Sequence, residues 1–306
     1  MNTPLSGKIN EALRQVEMLL VGKSKQVKQS MACILAGGHL LVEDVPGVGK
    51  TTLSHALAVT LGLEYARVQF TSDLMPADVL GSAILERDGG FRFQPGPIFH
   101  QVLLADEINR STPRTQSAML EAMEERQVTT DGVSRVLPKP FFVIATQNPS
   151  RQSGTFPLPE SQLDRFLMCI SIGYPDAAAE VDILMGRDRR LMLRDILPVL
   201  SATDLLAVLS AVESVHVSEP VAKYVQRIAH STRTSGAYID GISPRGAIAH
   251  LKAAKAWAFL EERDYVCPDD VKAVAVPVLS HRLRTSRLDA GNRENLIEEL
   301  LNTVKV

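Results

Sequence analysis

Apolar residues recur along this chain in two rhythms, and the change from one to the other divides it. Over residues 5–36, Ile9, Leu13, Val16, Leu19 and Leu20 return at helical spacing; a turn at Val21-Gly22 separates two helices, and the second ends at Gly37-Gly38. Short apolar runs follow at 40–42, 102–105, 141–146 and 167–172, with 65–70 read as a further strand. Runs of that length bounded by charge, Gly or Pro suit strands covered on both faces, as in a parallel sheet. A helix starts near Gly49 and carries Leu53, Ala56, Leu57 and Leu61 on one face. Two segments are too polar for a central sheet. Residues 83–86 and 91–94 flank Asp88-Gly89-Gly90, and 127–130 and 133–136 flank Asp131-Gly132, a two-residue turn signal. Both predict hairpins that project from the core, either to touch partners or as surface decoration. Beyond Tyr174-Pro175-Asp176 nothing alternates, and 177–190, 202–212, 220–231, 244–260, 268–279 and 293–304 read as helices. The switch places a boundary near residue 175.

The densest chemistry lies where the first strand meets its helix. Pro46-Gly47-Val48-Gly49-Lys50-Thr51 carries most of a phosphate-binding loop. Small residues let backbone N–H groups converge on a phosphate, and the helix start adds its positive dipole end. Lys50 brings a mobile charge to the outer phosphates, and the Thr51 hydroxyl can ligate Mg²⁺. The strict pattern asks for Gly where this chain has Asp44, a residue that tolerates turn and left-handed backbone. The competing reading is a plain strand-to-helix turn, against which strand, loop, Lys-Thr pair and helix all agree.

Other strand ends supply partners. Asp106-Glu107 closes the run at 102–105, where ligands sit in parallel sheets; Asp106 would hold Mg²⁺ and Glu107 would polarise a water. Gln147-Asn148 ends the run at 141–146, a strand expected beside the phosphate-loop strand, so Asn148 could hydrogen-bond a terminal phosphate or the water; alternatively Asn148-Pro149 is only a turn. Arg165 could neutralise charge on a phosphate bound by an adjacent subunit, or simply pair with Asp164. Ser243-Pro244-Arg245 starts a helix by a Ser cap and a first-turn Pro. Arg245 is electrostatically misplaced at that end, a conflict that a terminal phosphate would remove and that pairing with Asp240 would also relieve.

Composition narrows the rest. The chain has 306 residues, enough for two domains, with 45% hydrophobic and 22% charged residues as in an average globular protein. A net charge of −2 favours neither nucleic acid nor an anionic membrane. The first residues lack the apolar core of a secretion signal, and no apolar run nears the ~18 residues of a membrane span. The three cysteines are scattered without ligand spacing, which suits buried, inert thiols in a reducing cytosol.

With these residues assembled, the chain resembles the MoxR family of AAA+ ATPases over nearly its whole length. The resemblance rests on residues 37–51, 94–99 and 103–110, on 116–124, 145–149 and 158–166, and on 243–246. It implies a P-loop NTPase αβα sandwich with a five-stranded parallel sheet over residues 1–175, with hairpin inserts at about 82–95 and 127–137, then an all-helical lid over 176–306. By it, Asp44, Val45, Pro46, Gly47, Val48, Gly49, Lys50, Thr51 and Thr52, together with Val21 and Gly22, bind ATP. Thr51 and Asp106 hold Mg²⁺, Glu107 completes Walker B, Asn148 is sensor 1, Arg165 the arginine finger and Arg245 sensor 2. Arg110 and Arg114 compete for the finger role. The resemblance further implies a hexameric cytoplasmic ring that remodels partner proteins, often ones with von Willebrand A domains. The alternatives are a slow nucleotide-gated assembly module, a monomeric phosphotransferase built on the same loop, and a magnesium-chelatase ATPase subunit of the same clade.

Overall fold

A computed structural model describes residues 3–87, 89–148, 154–186, 189–285 and 293–305; Asp88 and Pro149 of the expected turns fall outside them. The chain begins with α1 (Thr3–Leu19), α2 (Ser24–Leu35), β1 (Leu40–Glu43), α3 (Lys50–Thr60), β2 (Tyr65–Gln69) and α4 (Pro76–Leu80). A hairpin of β3 (Gly81–Leu85) and β4 (Phe91–Pro95) leads into β5 (Val102–Asp106) and α5 (Pro113–Glu125). A second hairpin, β6 (Gln127–Thr130) and β7 (Val133–Val136), leads into β8 (Phe142–Gln147), followed by α6 (Glu160–Leu163) and β9 (Met168–Ile170). Then come α7 (Ala177–Met185), α8 (Arg189–Asp195), α9 (Ala202–Glu213), α10 (Glu219–Thr234), β10 (Tyr238–Asp240), α11 (Pro244–Leu260), α12 (Pro268–Ala273), α13 (Ala275–Leu279), β11 (Arg284–Thr285) and α14 (Arg293–Thr303). No described helix is long and apolar enough to cross a membrane.

The apolar runs form one parallel sheet in the order β2-β5-β8-β1-β9. Alternate residues along each strand serve opposite faces. Leu40, Val42, Leu104, Ile144 and Met168 pack with α1, α2 and α3, whereas Leu41, Leu103, Val143 and Cys169 pack with α5. The first of these cores runs without interruption into α9–α13 through Leu205, Tyr224, Ile228, Ala253, Val271 and Val278. The change from strand to helix falls between β9 and α7, inside continuous packing.

The C-terminal region departs from the sequence reading in three places. The helix expected over 177–190 ends at Met185, and α8 restarts at Arg189. The helix expected over 268–279 breaks at Val274, because Pro277 has no N–H to bond the carbonyl of residue 273. The short antiparallel pair of β10 and β11 was not foreseen, since two or three residues cannot display a period. The buried thiols hold for Cys33 and Cys169, and burial pushes the Cys33 thiol up; Cys267 is only half-buried, against Arg263.

The hairpins stand out from the sheet and touch each other. The Arg135 guanidinium lies 3.8 Å from the Phe93 ring centre, and Phe93 meets Phe99 edge-on at 5.7 Å. Leu85, Phe91, Val133 and Val136 are exposed along them.

Two contacts have measurable consequences. Gly62, at φ +65°, ends α3 where Val199 N–H donates to the Thr60 carbonyl; a Cβ there would meet the Leu200 carbonyl oxygen at 2.2 Å. We expect Gly62→Ala to cost at least ~1–3 kcal/mol from backbone conformation alone, lowering Tm by several degrees in calorimetry. An unchanged Tm would refute this account of the seam between α3 and the C-terminal helices. The second consequence concerns acid. His39 Nδ1 accepts from the Val143 N–H, and His250 Nε2 donates to the Val271 carbonyl. Burial, aided by neighbouring arginines, lowers His39 to about 3 and His250 to about 4. Between those values and about 6.5 the unfolded chain binds more protons, so stability is present above pH 6.5 and lost as pH falls. Urea titrations should show a loss of about 2 kcal/mol between pH 6.5 and 5.5 for the pair; a flat profile would contradict buried neutral histidines.

Candidate active site

The C-terminal ends of three adjacent strands, β5, β8 and β1, deliver the site's polar groups to one edge of the sheet. The loop from β1 to α3 turns through Gly47 at φ +88° and Gly49 at φ +98°, left-handed values that favour glycine. It opens on a cavity of about 530 Å³ lined by Gly47, Lys50, Thr51, Asp106, Glu107 and Asn148, among others. These sequence-predicted residues share one space.

Asp44 keeps its place for a reason other than the one expected. Its backbone is not left-handed. Its buried carboxylate accepts from the Val45 N–H at 2.8 Å, the Ser171 hydroxyl at 2.9 Å and the Gly173 N–H at 2.6 Å. The side chain ties the loop to the segment beyond β9, which glycine could not do.

Lys50 is buried, and its ammonium donates to the Asp44 carbonyl at 2.6 Å and to Asn148 Oδ1 at 3.0 Å. Burial lowers its pKa, and the carboxylates of Asp106, Asp44 and Glu107 oppose that shift. The other side of the Asn148 amide donates to Glu107 Oε1 at 3.0 Å, so one side chain spans the cation and the carboxylate. Glu107 sits at φ +56°, ψ +48°, a strained conformation for a non-glycine residue, and its N–H donates to the Thr146 hydroxyl. That hydroxyl donates in turn to Asp106 Oδ1 at 2.5 Å.

The sequence reading missed Thr146 and two residues of β2. Arg67 reaches Asp106 Oδ2 through Nη2 at 2.7 Å and Nε at 3.2 Å, and Gln69 donates to Glu107 Oε2 at 2.9 Å. Strand periodicity puts Arg67 and Gln69 on one face, and Gln69 is in register with Asp106. A polar pair at alternate positions near a strand's C-terminal end was the available signal. Arg110 also pairs with Glu107 at 2.9 Å, while Arg114 is exposed on α5.

Val21 and Gly22 do not line the cavity. Gly22, at φ +73°, faces the first turn of α7, where a Cβ would meet that of Ala179 at 2.9 Å, while Leu20 approaches Gly49. Val45 and Val48 also stand off the lining.

Arg165 and Arg245 are not brought to Lys50. Both face a separate cavity of about 300 Å³, and both pair with Glu124 of α5. Neither acid named as an alternative partner takes them: Asp164 pairs with Arg282 at 2.7 Å, and Asp240 lies near Arg284. The Ser243 cap forms as expected, its hydroxyl accepting from the Gly246 N–H at 3.0 Å.

Residues 39–168 match the ATPase family associated with various cellular activities (AAA), and 230–300 match the AAA lid domain. The chain is 43% identical to the uncharacterized protein YeaC of Bacillus subtilis over 99% of this chain and 95% of that protein. It is 37% identical to Chaperone MoxR1 of Mycobacterium tuberculosis over 97% of this chain and 81% of that protein. A crystal structure assigned as an ATPase, from Cytophaga hutchinsonii, superposes with a TM-score of 0.89 at 36% identity, covering 99% of this chain and 96% of that one.

Asp44 yields the prediction here. Asp44→Ala removes an acceptor from three donors, and bonds to a charged group are worth about 1.5–3 kcal/mol each. We expect at least a tenfold rise in Kd for a fluorescent ATP analogue, with a lowered Tm; unchanged affinity would show that the anchor does not shape the loop.

Proposed function

The chain belongs to the MoxR family of AAA+ ATPases, and from that premise we propose an ATP hydrolysis site completed by a second copy of the chain. The observation that carries this reading is the division of charges between two cavities. Lys50, Asp106, Glu107 and Asn148 line one, whereas Arg165 and Arg245 line the other. In the proposed reaction, loop N–H groups and Lys50 grip the outer phosphates, and Glu107, steadied by Asn148, orients a water. The water oxygen attacks the terminal phosphorus, the bond to the bridging oxygen breaks, and ADP and phosphate leave. Arg165 and Arg245 of a neighbouring copy face the developing negative charge.

The residues present fit Mg²⁺. A buried carboxylate on Asp106 and the Thr51 hydroxyl are hard oxygen donors on one cavity, and no group of three or more His, Cys, Asp or Glu among the described residues could hold a metal alone. Such a sparse set suits an ion held jointly with substrate phosphates, where it neutralises their charge.

We infer a ring, hexameric as the resemblance implies, in which residues 1–175 bind nucleotide and 176–306 act as the lid. The relative named Chaperone MoxR1 supports a role in remodelling partner proteins; the clients we infer first are von Willebrand A domain proteins, as the family resemblance implies, and the setting we infer is the cytoplasm.

Two measurements test the site. Glu107→Gln should bind ATP within a few-fold of wild type yet turn over roughly 10²- to 10⁴-fold more slowly; equal turnover removes Glu107 from the chemistry. Mixing Lys50→Ala chains with Arg165→Ala/Arg245→Ala chains, each inactive alone, should restore turnover at composite sites. No restoration would defeat the two-copy site.

A further inference from the structure

Glu124 lies in the last turn of α5, and each of its carboxylate oxygens is committed to a different arginine. Oε2 is 3.0 Å from Arg165 Nε, and Oε1 is 2.9 Å from Arg245 Nη1. The two arginines come from distant parts of the chain, one after α6 and the other in the first turn of α11. Like charges held this close repel unless a counter-charge lies between them.

The surroundings leave this task to Glu124. The cavity it borders also presents Arg126, Lys252 and Arg282, so five cationic side chains face two carboxylates, Glu124 and Asp164. Asp164 is occupied by Arg282, which also donates to the Phe166 and Leu167 carbonyls. The surplus of positive charge suits an anion. A guanidinium has five N–H donors, so pairing through Nε or one Nη leaves donors for an incoming phosphate. Arg245 is half-exposed, at 49%, and Arg165 and Glu124 are partly exposed at 26% and 32%, so a second copy can reach the pair.

We propose that Glu124 is a positioning residue that yokes Arg165 and Arg245 into one cationic unit, which the chain presents to the terminal phosphates held by a neighbouring copy. The proposal rests on the two-copy site described above and adds a residue that touches neither nucleotide nor water. Without the Glu124 charge the two guanidiniums separate, and neither reaches the transferring phosphate in register with the other. A misplacement of about 1 Å lowers turnover roughly 10²-fold in comparable systems.

The test uses full-length chains in the mixing assay. Glu124→Gln in an otherwise unmodified chain should lower kcat roughly 10- to 100-fold, with the KM for ATP changed less than about threefold. Glu124→Asp, which keeps the charge on a shorter arm, should recover part of the rate. In mixtures, Glu124→Gln placed on the Lys50→Ala chain, which lends its arginines, should lower the restored turnover by the same factor. Placed on the Arg165→Ala/Arg245→Ala chain, it should leave that turnover within about twofold, with melting curves confirming that both chains fold. If the mixture restores turnover but the substitution acts equally on both chains, or on neither, the yoke is wrong while the two-copy site stands. If the mixture restores nothing, both fall together.

Discussion

A buried ammonium must find acceptors and counter-charge, and the way Lys50 does so organises the strand ends around it. Its direct partners are the Asp44 carbonyl and the Asn148 amide, and its counter-charges are Asp106, Asp44 and Glu107. These residues come from different strands, so they converge only because β5, β8 and β1 lie side by side, parallel and in register. A slip of one residue in any pairing would turn the carboxylates to the wrong face. The apolar packing on both sides of the sheet thus sets the geometry of the polar edge.

Much of this was legible from residue order alone, where the signal was local. The apolar runs identified the strands, the Gly-Lys-Thr sequence identified the loop, and Asp106-Glu107 and Asn148 stood where strands end. What escaped depended on partners distant in sequence. Nothing near Arg165 or Arg245 points to Glu124, and the nearby acids that looked available are engaged elsewhere. Arg67 and Thr146 take on meaning only once β2 and β8 are seen to flank β5. Asp44 was tolerated in the sequence reading for its backbone, yet its side chain is what the fold uses.

Glu107 shows what such a site asks of the backbone. Its left-handed conformation is worth on the order of 1–3 kcal/mol of strain, relieved in part by the Thr146 hydroxyl and by side-chain bonds to Asn148, Gln69 and Arg110. The same carboxylate is thereby held by three elements at once. Its neighbour Asp106 is likewise shared between Arg67 and Thr146, so the two acids are set by one network.

The stacking of Arg135 on Phe93 has a mechanical corollary. One hairpin continues through Pro97–Phe99 into β5, which ends at Asp106, and the other continues into β8, which leads to Asn148. The stacked ring and guanidinium thus cross-link two stretches of backbone that run on to residues lining one cavity.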